Sequence, residues 1–286
     1  MEISLSELSK VKGIGKKTIK RIREYKLADE GYISEYNEDL HLDRNSVNQG
    51  DCLELMNGIP DKSVDMILAD LPYGTTQCSW DSVIDLNKLW MQYKRIIKPE
   101  GVIVLTANFL FAVELYKSNL EWFKYDLVWN KKHGKAPGVA KYRPMPSHEF
   151  VLVFGEGTNT YNPQMEEGEP YVDVRKSGRS YVNGNEHNLG FKNEDYEMVN
   201  EGERYPLSVL DFLSYGVEGQ HPTQKPLNLF EYLVKTYTNE GDLVLDNVAG
   251  SGTTGVACQN TDRDYILIEQ EQKYVDIIRD RLEGDE

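Results

Sequence analysis

The stretch that most constrains how this chain folds is residues 242–269. Asp242-Leu243-Val244-Leu245-Asp246 is an apolar run of strand length, and Asn247-Val248-Ala249-Gly250-Ser251-Gly252-Thr253-Thr254-Gly255 is a glycine-rich turn that leads into a helix through Cys258. Ile266-Leu267-Ile268-Glu269 is a second strand, ending in an acid. Strand, glycine turn, helix, strand and terminal acid is the plan of a nucleotide-cofactor half-site in a parallel sheet. The glycines let backbone approach a ligand closely, and the acid is placed to accept hydrogen bonds from two ribose hydroxyls. Gly250, Gly252 and Gly255 also fit the bare count of a dinucleotide motif, so a nicotinamide cofactor stays open. Asp246 discriminates. An acid just before the glycines suits a cation or amine better than a pyrophosphate, and S-adenosyl-L-methionine carries both an amine and a sulfonium.

The same alternation extends upstream. Ser46-Val47-Asn48-Gln49 reads as a strand ending in Gly50-Asp51, residues 52–59 as a helix, and Val64-Asp65-Met66-Ile67-Leu68-Ala69 as a buried strand. Residues 80–98 have helical spacing until Pro99-Glu100-Gly101 breaks them, and Val102 to Thr106 is again a buried strand. A helix over residues 109–120, strands over 122–129 and 149–154, and a helix over 227–237 follow, with a last helix over 272–282. Strands and helices alternating at this spacing predict an α/β fold, a mostly parallel sheet with helices on both faces. Residues 155–220 leave that rhythm. They are rich in Gly, Asn, Glu and Tyr without a long apolar run, and an irregular insertion of that length is usually functional or disordered.

The strand over residues 64–69 runs into Asp70-Leu71-Pro72-Tyr73-Gly74. A carboxylate, a proline and an aromatic at a buried strand's end make a poor core and a good holder for a flat ring with an exocyclic amine. Asp70 supplies one acceptor, the Leu71 carbonyl a second, Pro72 stiffens the turn, and Tyr73 offers a ring to stack on. Ligands of open α/β sheets lie beyond such carboxyl ends. The bland alternative is an ordinary strand-to-loop turn.

Three cysteines far apart, Cys52, Cys78 and Cys258, form neither a disulfide framework nor a zinc spacing, so a reducing, cytoplasmic setting and no metal are expected. No apolar run approaches the roughly 20 residues that span a bilayer, and no secretory leader pattern opens the chain. A net charge of −15 opposes nonspecific adhesion to nucleic acid. The bases, however, are clustered: Lys131, Lys132, Lys135, Lys141 and Arg143 form one group, and eight Lys or Arg between Lys10 and Lys26 form another. In the latter, Gly13 and Gly15 sit between two short amphipathic helical patterns and leave amides bare beside Lys12, Lys16 and Lys17. The pattern looks like a helix-hairpin-helix element, which grips DNA phosphates without reading bases. A capping or protein-docking hairpin is the alternative.

Asp-Leu-Pro-Tyr at residue 70, then His-Pro-Thr-Gln-Lys-Pro at 221, then Asp-Asn-Val-Ala-Gly-Ser-Gly-Thr-Thr-Gly at 246 resemble, in that order, the β-class amino-methylating DNA methyltransferases. Lys-Pro-Glu-Gly at residue 98 and Val-Trp-Asn-Lys at 128 resemble that class too. The resemblance implies a Rossmann-like class I S-adenosylmethionine-dependent methyltransferase fold with a target-recognition insertion. Residues 1–28 would be a DNA-contact arm, 29–45 a connector, 46–154 the catalytic half, 155–220 the insertion and 221–286 the cofactor half. Carried over, Asp70, Leu71, Pro72 and Tyr73 are catalytic. Asp246, Ala249, Gly250, Gly252 and Thr253 line the methionine portion of S-adenosyl-L-methionine. His221, Thr223 and Lys225 close on its carboxylate side, Glu269 holds the ribose, and Asp51 with the Cys52 backbone meets the adenine amine. The helix-hairpin-helix likeness implies DNA contacts at Lys12, Gly13, Gly15, Lys16 and Lys17, and the second basic group is expected to add Lys131 and Lys132.

The class further implies double-stranded DNA as substrate and adenine N6 as the target, because Asp in the first motif position goes mostly with adenine. Cytosine N4 is the near alternative. A homodimer and a cognate restriction endonuclease are the protein partners it leaves open. Leu71 stands where that class more often has proline, and Asn247-Val248 where Pro-Phe is common. Other readings remain at this point: an inactive DNA-binding protein on the same fold, methylation of RNA or of protein glutamine, and a nicotinamide oxidoreductase.

Overall fold

The computed structural model describes residues 35–74, 84–134, 137–175, 196–213 and 224–284. They fall into two compact units: a larger one up to Asn162 and again from Ser208, and a smaller one, Pro163–Leu207. The strands are, in chain order, β1 (Ser46–Gln49), β2 (Val64–Ala69), β3 (Ile97–Ala107), β4 (Phe123–Asn130) and β5 (His148–Phe154); then β6 (Glu166–Glu167), β7 (Tyr171–Arg175), β8 (Tyr196–Asn200) and β9 (Glu203–Arg204); then β10 (Val209–Asp211), β11 (Leu243–Asp246) and β12 (Asp264–Glu269). The described helices, all in the larger unit, are α1 (Cys52–Leu55), α2 (Leu86–Ile96), α3 (Phe109–Ser118), α4 (Leu227–Tyr237), α5 (Thr253–Gln259) and α6 (Gln272–Glu283). Among the described residues, no helix is long and apolar enough to cross a membrane.

The larger unit is built on an eight-stranded sheet in the order β1-β12-β11-β2-β3-β5-β4-β10. β5 runs antiparallel to β3 and β4, and every other pairing is parallel. Side chains alternate across a strand, so each strand feeds two cores. Ile67, Ile103, Leu245 and Ile266 pack with Leu89, Tyr93 and Ile96 of α2 and Phe111 and Leu115 of α3. Met66, Leu68, Val102, Val104 and Val244 pack with Leu229, Leu233 and Val234 of α4, Ala257 of α5 and Ile278 of α6. This is the doubly covered, mostly parallel sheet that the alternation predicted.

The differences are local and have physical causes. The helix expected over residues 52–59 is α1 followed by a 3-10 turn, Met56–Gly58, because the chain must tighten where Gly58 meets Leu40. A Cβ on Gly58 would lie 2.2 Å from the Leu40 carbonyl oxygen. β3 begins earlier than the apolar run does: Val64 pairs with Ile97 and Met66 with Val102, so Lys98 to Gly101 bulge out of the ladder as the Pro-Glu-Gly turn required. β10, inside the stretch expected to be irregular, returns to the sheet edge beside β4. Three residues are too few to show a periodic pattern.

In the smaller unit β6 pairs with β9 and β7 with β8, both antiparallel. Arg204 braces it, donating to the Asn200 side chain and the Glu169 carbonyl while its guanidinium lies 4.7 Å from the Tyr171 ring centre.

Candidate active site

The carboxyl ends of β2, β11 and β12 lie along one edge of the sheet because these strands are parallel. β3 is parallel to β2, and Ala69 pairs with Leu105, which sets Thr106 opposite Asp70. β5 runs the other way, so its first residues, His148 and Glu149, arrive at the same edge. Topology alone therefore gathers Asp70, Thr106, Glu149, Asp246 and Glu269.

Asp70 is held from three directions. Its Oδ1 accepts from the Tyr73 hydroxyl at 2.6 Å and the Thr106 hydroxyl at 2.5 Å, and its Oδ2 accepts from Lys225 Nζ. Lys225 is buried; desolvation opposes its charge, but Asp70 and Glu149 overcome that and hold its pKa above the usual lysine range. Glu149 Oε1 accepts in turn from Lys131, whose ammonium lies 4.7 Å from the Trp129 ring centre. The other oxygen, Oε2, is buried without a hydrogen-bond partner, 3.8 Å from Lys225 Nζ. Tyr73 packs against Phe111 with ring centres 5.2 Å apart, and burial, with Asp70 and Glu149 nearby, keeps its hydroxyl protonated. The Leu71 side chain is only 2% exposed, so it anchors the turn in the core and leaves the backbone to face outward chemistry.

The second part of the edge is built by β11, the glycine turn and β12. Asp246 is 3% exposed; Thr254 Oγ1 donates to its Oδ2 at 2.5 Å and the Val248 amide to its Oδ1 at 3.1 Å. Burial nonetheless raises its pKa to about 7; the Thr254 and Val248 donors pull it down, and Asp70 and Glu269 push it up. Gly250 and Gly252 have φ of 55° and 79°, the left-handed region that favours glycine. A Cβ on Gly250 would meet open space, whereas one on Gly252 would lie 2.9 Å from Ile278 of α6. The turn is fixed by the Ala249 amide on Ile268 O and the Gly252 amide on Ala249 O. Arg281 of α6 ties it further, donating to Ser251. Glu269 accepts from the Gly250 amide at 2.8 Å and the Glu271 amide at 2.9 Å, and burial raises its pKa. Thr253 begins α5 and is buried.

At the end of β1, Asp51 caps α1 by accepting from the Leu53 and Glu54 amides through one oxygen. Cys52 is buried, and desolvation pushes its thiol up to about 11, with the nearby Asn247 side chain acting in the opposite direction. A thiol that rarely ionises is a structural group rather than a nucleophile.

Two residues have partners within the chain that the sequence reading did not foresee. Lys225, expected at a cofactor carboxylate, has its ammonium on Asp70. Lys131, expected on a phosphate, is 9% exposed and committed to Glu149. Lys132 is exposed and pairs with Asp211 of β10. His221 and Thr223, together with Lys12, Gly13, Gly15, Lys16 and Lys17, lie outside the described residues.

A family model described as DNA methylase, of the N6/N4 group, matches residues 64–280, from the first residue of β2 into α6. The chain belongs to the DNA methylase family. Among curated DNA methylases it is 28% identical over 269 residues to the Type II methyltransferase M.HinfI of Haemophilus influenzae, covering 83% of this chain and 68% of that protein. It is 28% identical to the Type II methyltransferase M2.MboI of Moraxella bovis, over 82% of this chain and 86% of that one. Among solved structures, the M1.HpyAVI–SAM complex superposes with a TM-score of 0.56 at 22% identity, covering 83% of this chain and 98% of that one. The cytosine-N4-specific PvuII DNA methyltransferase superposes with a TM-score of 0.55 at 17% identity, covering 86% and 95%. At such identities the structural likeness is one of fold.

Within this DNA methylase, Thr106 and Glu149 are the edge residues that motif reading passed over. A threonine closing an apolar run opposite an acid was a legible hint for the first. For Glu149 there was none, because its place depends on β5 being antiparallel, which only the assembled sheet reveals.

Proposed function

We propose that this DNA methyltransferase moves a methyl group from S-adenosyl-L-methionine to the exocyclic N6 amine of an adenine flipped out of double-stranded DNA, with S-adenosyl-L-homocysteine as the leaving thioether and one amine proton released. The observation that carries the reading is the adjacency of two acid-ended parallel strands, β2 with Asp70 and β11 with Asp246, the second leading directly into a left-handed glycine turn. The turn fits such a cofactor. Open space lies beside Gly250, Glu269 has lone pairs left for two ribose hydroxyls, and Asp246 offers a buried anion to a cationic ligand. Ala249, Gly250, Gly252 and Thr253 would line its methionine end, and Asp51 with the Cys52 amide its adenine end. When bound, the cofactor supplies an electrophilic methyl group on a sulfonium.

The chain's own residues supply the rest. An exocyclic amine is a weak nucleophile because its lone pair is delocalised into the ring. The Asp70 carboxylate and the Leu71 carbonyl accept its two hydrogens and draw the lone pair out of that delocalisation. They are fixed negative groups aimed at the nitrogen on which positive charge develops, and need no reorganisation as it does. Thr106 and Tyr73 hold the carboxylate in place. Stacking on the Tyr73 ring contributes roughly 1–3 kcal/mol, which offsets part of the few kcal/mol that flipping a base costs.

Sequencing with modified-base detection on DNA from cells expressing the protein tests the reading. N6-methyladenine at one fixed motif is expected. N4-methylcytosine at a fixed motif would replace adenine with cytosine as the target. Unmodified DNA would overturn both.

A further inference from the structure

The free structure leaves Asp70 poorly prepared for its substrate. Its Oδ1 already takes two hydroxyl donors, and a carboxylate oxygen offers about two lone-pair sites, so an incoming amine must use Oδ2. That oxygen is in contact with the Lys225 ammonium. A cation there holds the carboxylate before the base arrives, and then opposes the positive charge that develops on the amine during transfer. A second feature resolves the conflict. Glu149 Oε2 is buried, carries no hydrogen bond and lies 3.8 Å from the same ammonium. Leaving a buried carboxylate oxygen unpaired is costly, so such an atom in a native site calls for an occupant. Lys131 holds the other Glu149 oxygen from its place against Trp129, and that contact fixes the free one toward Lys225.

We infer that Lys225 is a displaceable cap on Asp70, that Glu149 Oε2 is the seat it moves to when the target base enters, and that Lys131 positions that seat. The inference rests on Asp70 being the acceptor for the target amine. The move is small: an ammonium–carboxylate hydrogen bond is about 2.8 Å long, so Nζ need travel only about 1 Å. No bond to a proton is made or broken. Lys225 stays charged between its two acids, and what changes is which of them it faces. Lys225, Glu149 and Lys131 are thus positioning residues acting through Asp70.

The test is a set of full-length variants assayed for transfer of labelled methyl groups to unmethylated genomic DNA. Cofactor binding and thermal melting are measured alongside. Asp70→Ala comes first: its loss of transfer with cofactor binding retained establishes the acceptor, and full activity there would overturn both the site reading and this inference. Glu149→Gln keeps the shape of the seat and removes its charge. It should lower kcat by about tenfold or more, with cofactor affinity and KM for DNA little changed. Lys225→Met removes the cap, so the double variant Glu149→Gln/Lys225→Met should match Lys225→Met alone, because a seat is useless without its occupant. A wild-type kcat in Glu149→Gln, or losses that multiply in the double variant, would overturn the inference while leaving Asp70 as acceptor. Should Glu149→Gln fail to fold, Glu149→Asp provides the measurement. It keeps the charge but withdraws the oxygen by one methylene, and a wild-type kcat there would equally overturn the seat.

Discussion

Binding of S-adenosyl-L-methionine should release a proton from Asp246, and the release should fade as the pH passes about 7. The carboxyl is 3% exposed, burial has raised its pKa to about 7, and a cationic ligand beside it requires the ionised form. Binding therefore carries a deprotonation cost below that pH. For a single group of pKa about 7 the cost is roughly elevenfold in affinity at pH 6 and close to nothing at pH 8, a difference of about 1.4 kcal/mol. Calorimetric titration in two buffers of different ionisation enthalpy reads the proton directly: about 0.9 per bound cofactor at pH 6 and about 0.1 at pH 8. The ligand's own amine titrates near pH 8, so the control is Asp246→Asn, which keeps an acceptor for Thr254 and removes the ionisation. Proton release at pH 6 that is absent in wild type, or that persists unchanged in Asp246→Asn, would refute the placement of a cation beside this acid. The same shift sets the stability of the free protein. Its folded pKa lies above the ordinary aspartate value, so native protein holds the proton through the window from about 4 to 7. The associated stabilisation is complete below about pH 4 and lost as pH rises through about 7, with an upper bound of about 4 kcal/mol. Glu269, also raised by burial, adds with the same sign.

The other expectations are simpler to read. Gly252→Ala places a Cβ at φ 79° and 2.9 Å from Ile278, so it should cost about 1–3 kcal/mol in chemical denaturation and weaken cofactor binding; an unchanged midpoint would show that the turn relaxes freely. Thr106→Val keeps the shape and removes one of the two hydroxyl donors on Asp70 Oδ1, which should lower kcat several-fold without moving cofactor affinity in an equilibrium titration. Deleting residues 1–25 removes seven basic side chains, and should flatten the salt dependence of DNA binding while leaving the methylated motif unchanged. A changed motif would put that segment in recognition.

How far the fold could be read in advance follows from where the signal lies. β2, β3, β11 and β12 are buried on both faces, so each spells itself as an unbroken apolar run, and the helices between them carry one-sided periodicity. β10 and the short strands of the smaller unit have neither, and they went unread. The candidate site divides along the same line. Residues tied to a local backbone demand were legible: Gly250 and Gly252 by their left-handed turn, Asp246 and Glu269 by ending apolar strands, Asp51 by preceding a helix it caps. Residues whose role depends on a partner far along the chain were not. Lys225 and Asp70 are 155 positions apart, and a lysine in a polar motif gives no hint of whether its charge will meet a ligand or an acid of its own chain. The same holds for Lys131, which sits in a basic cluster in sequence and among Trp129 and Glu149 in space. A run of lysines reports composition, and burial decides its use. Lys225 and Lys131, which pair with Asp70 and Glu149, are the least exposed lysines among the described residues, so the charge at the centre of the site is balanced from within. That balance lets an acidic protein keep a carboxylate at this edge without relying on DNA, or on solvent ions, to neutralise it.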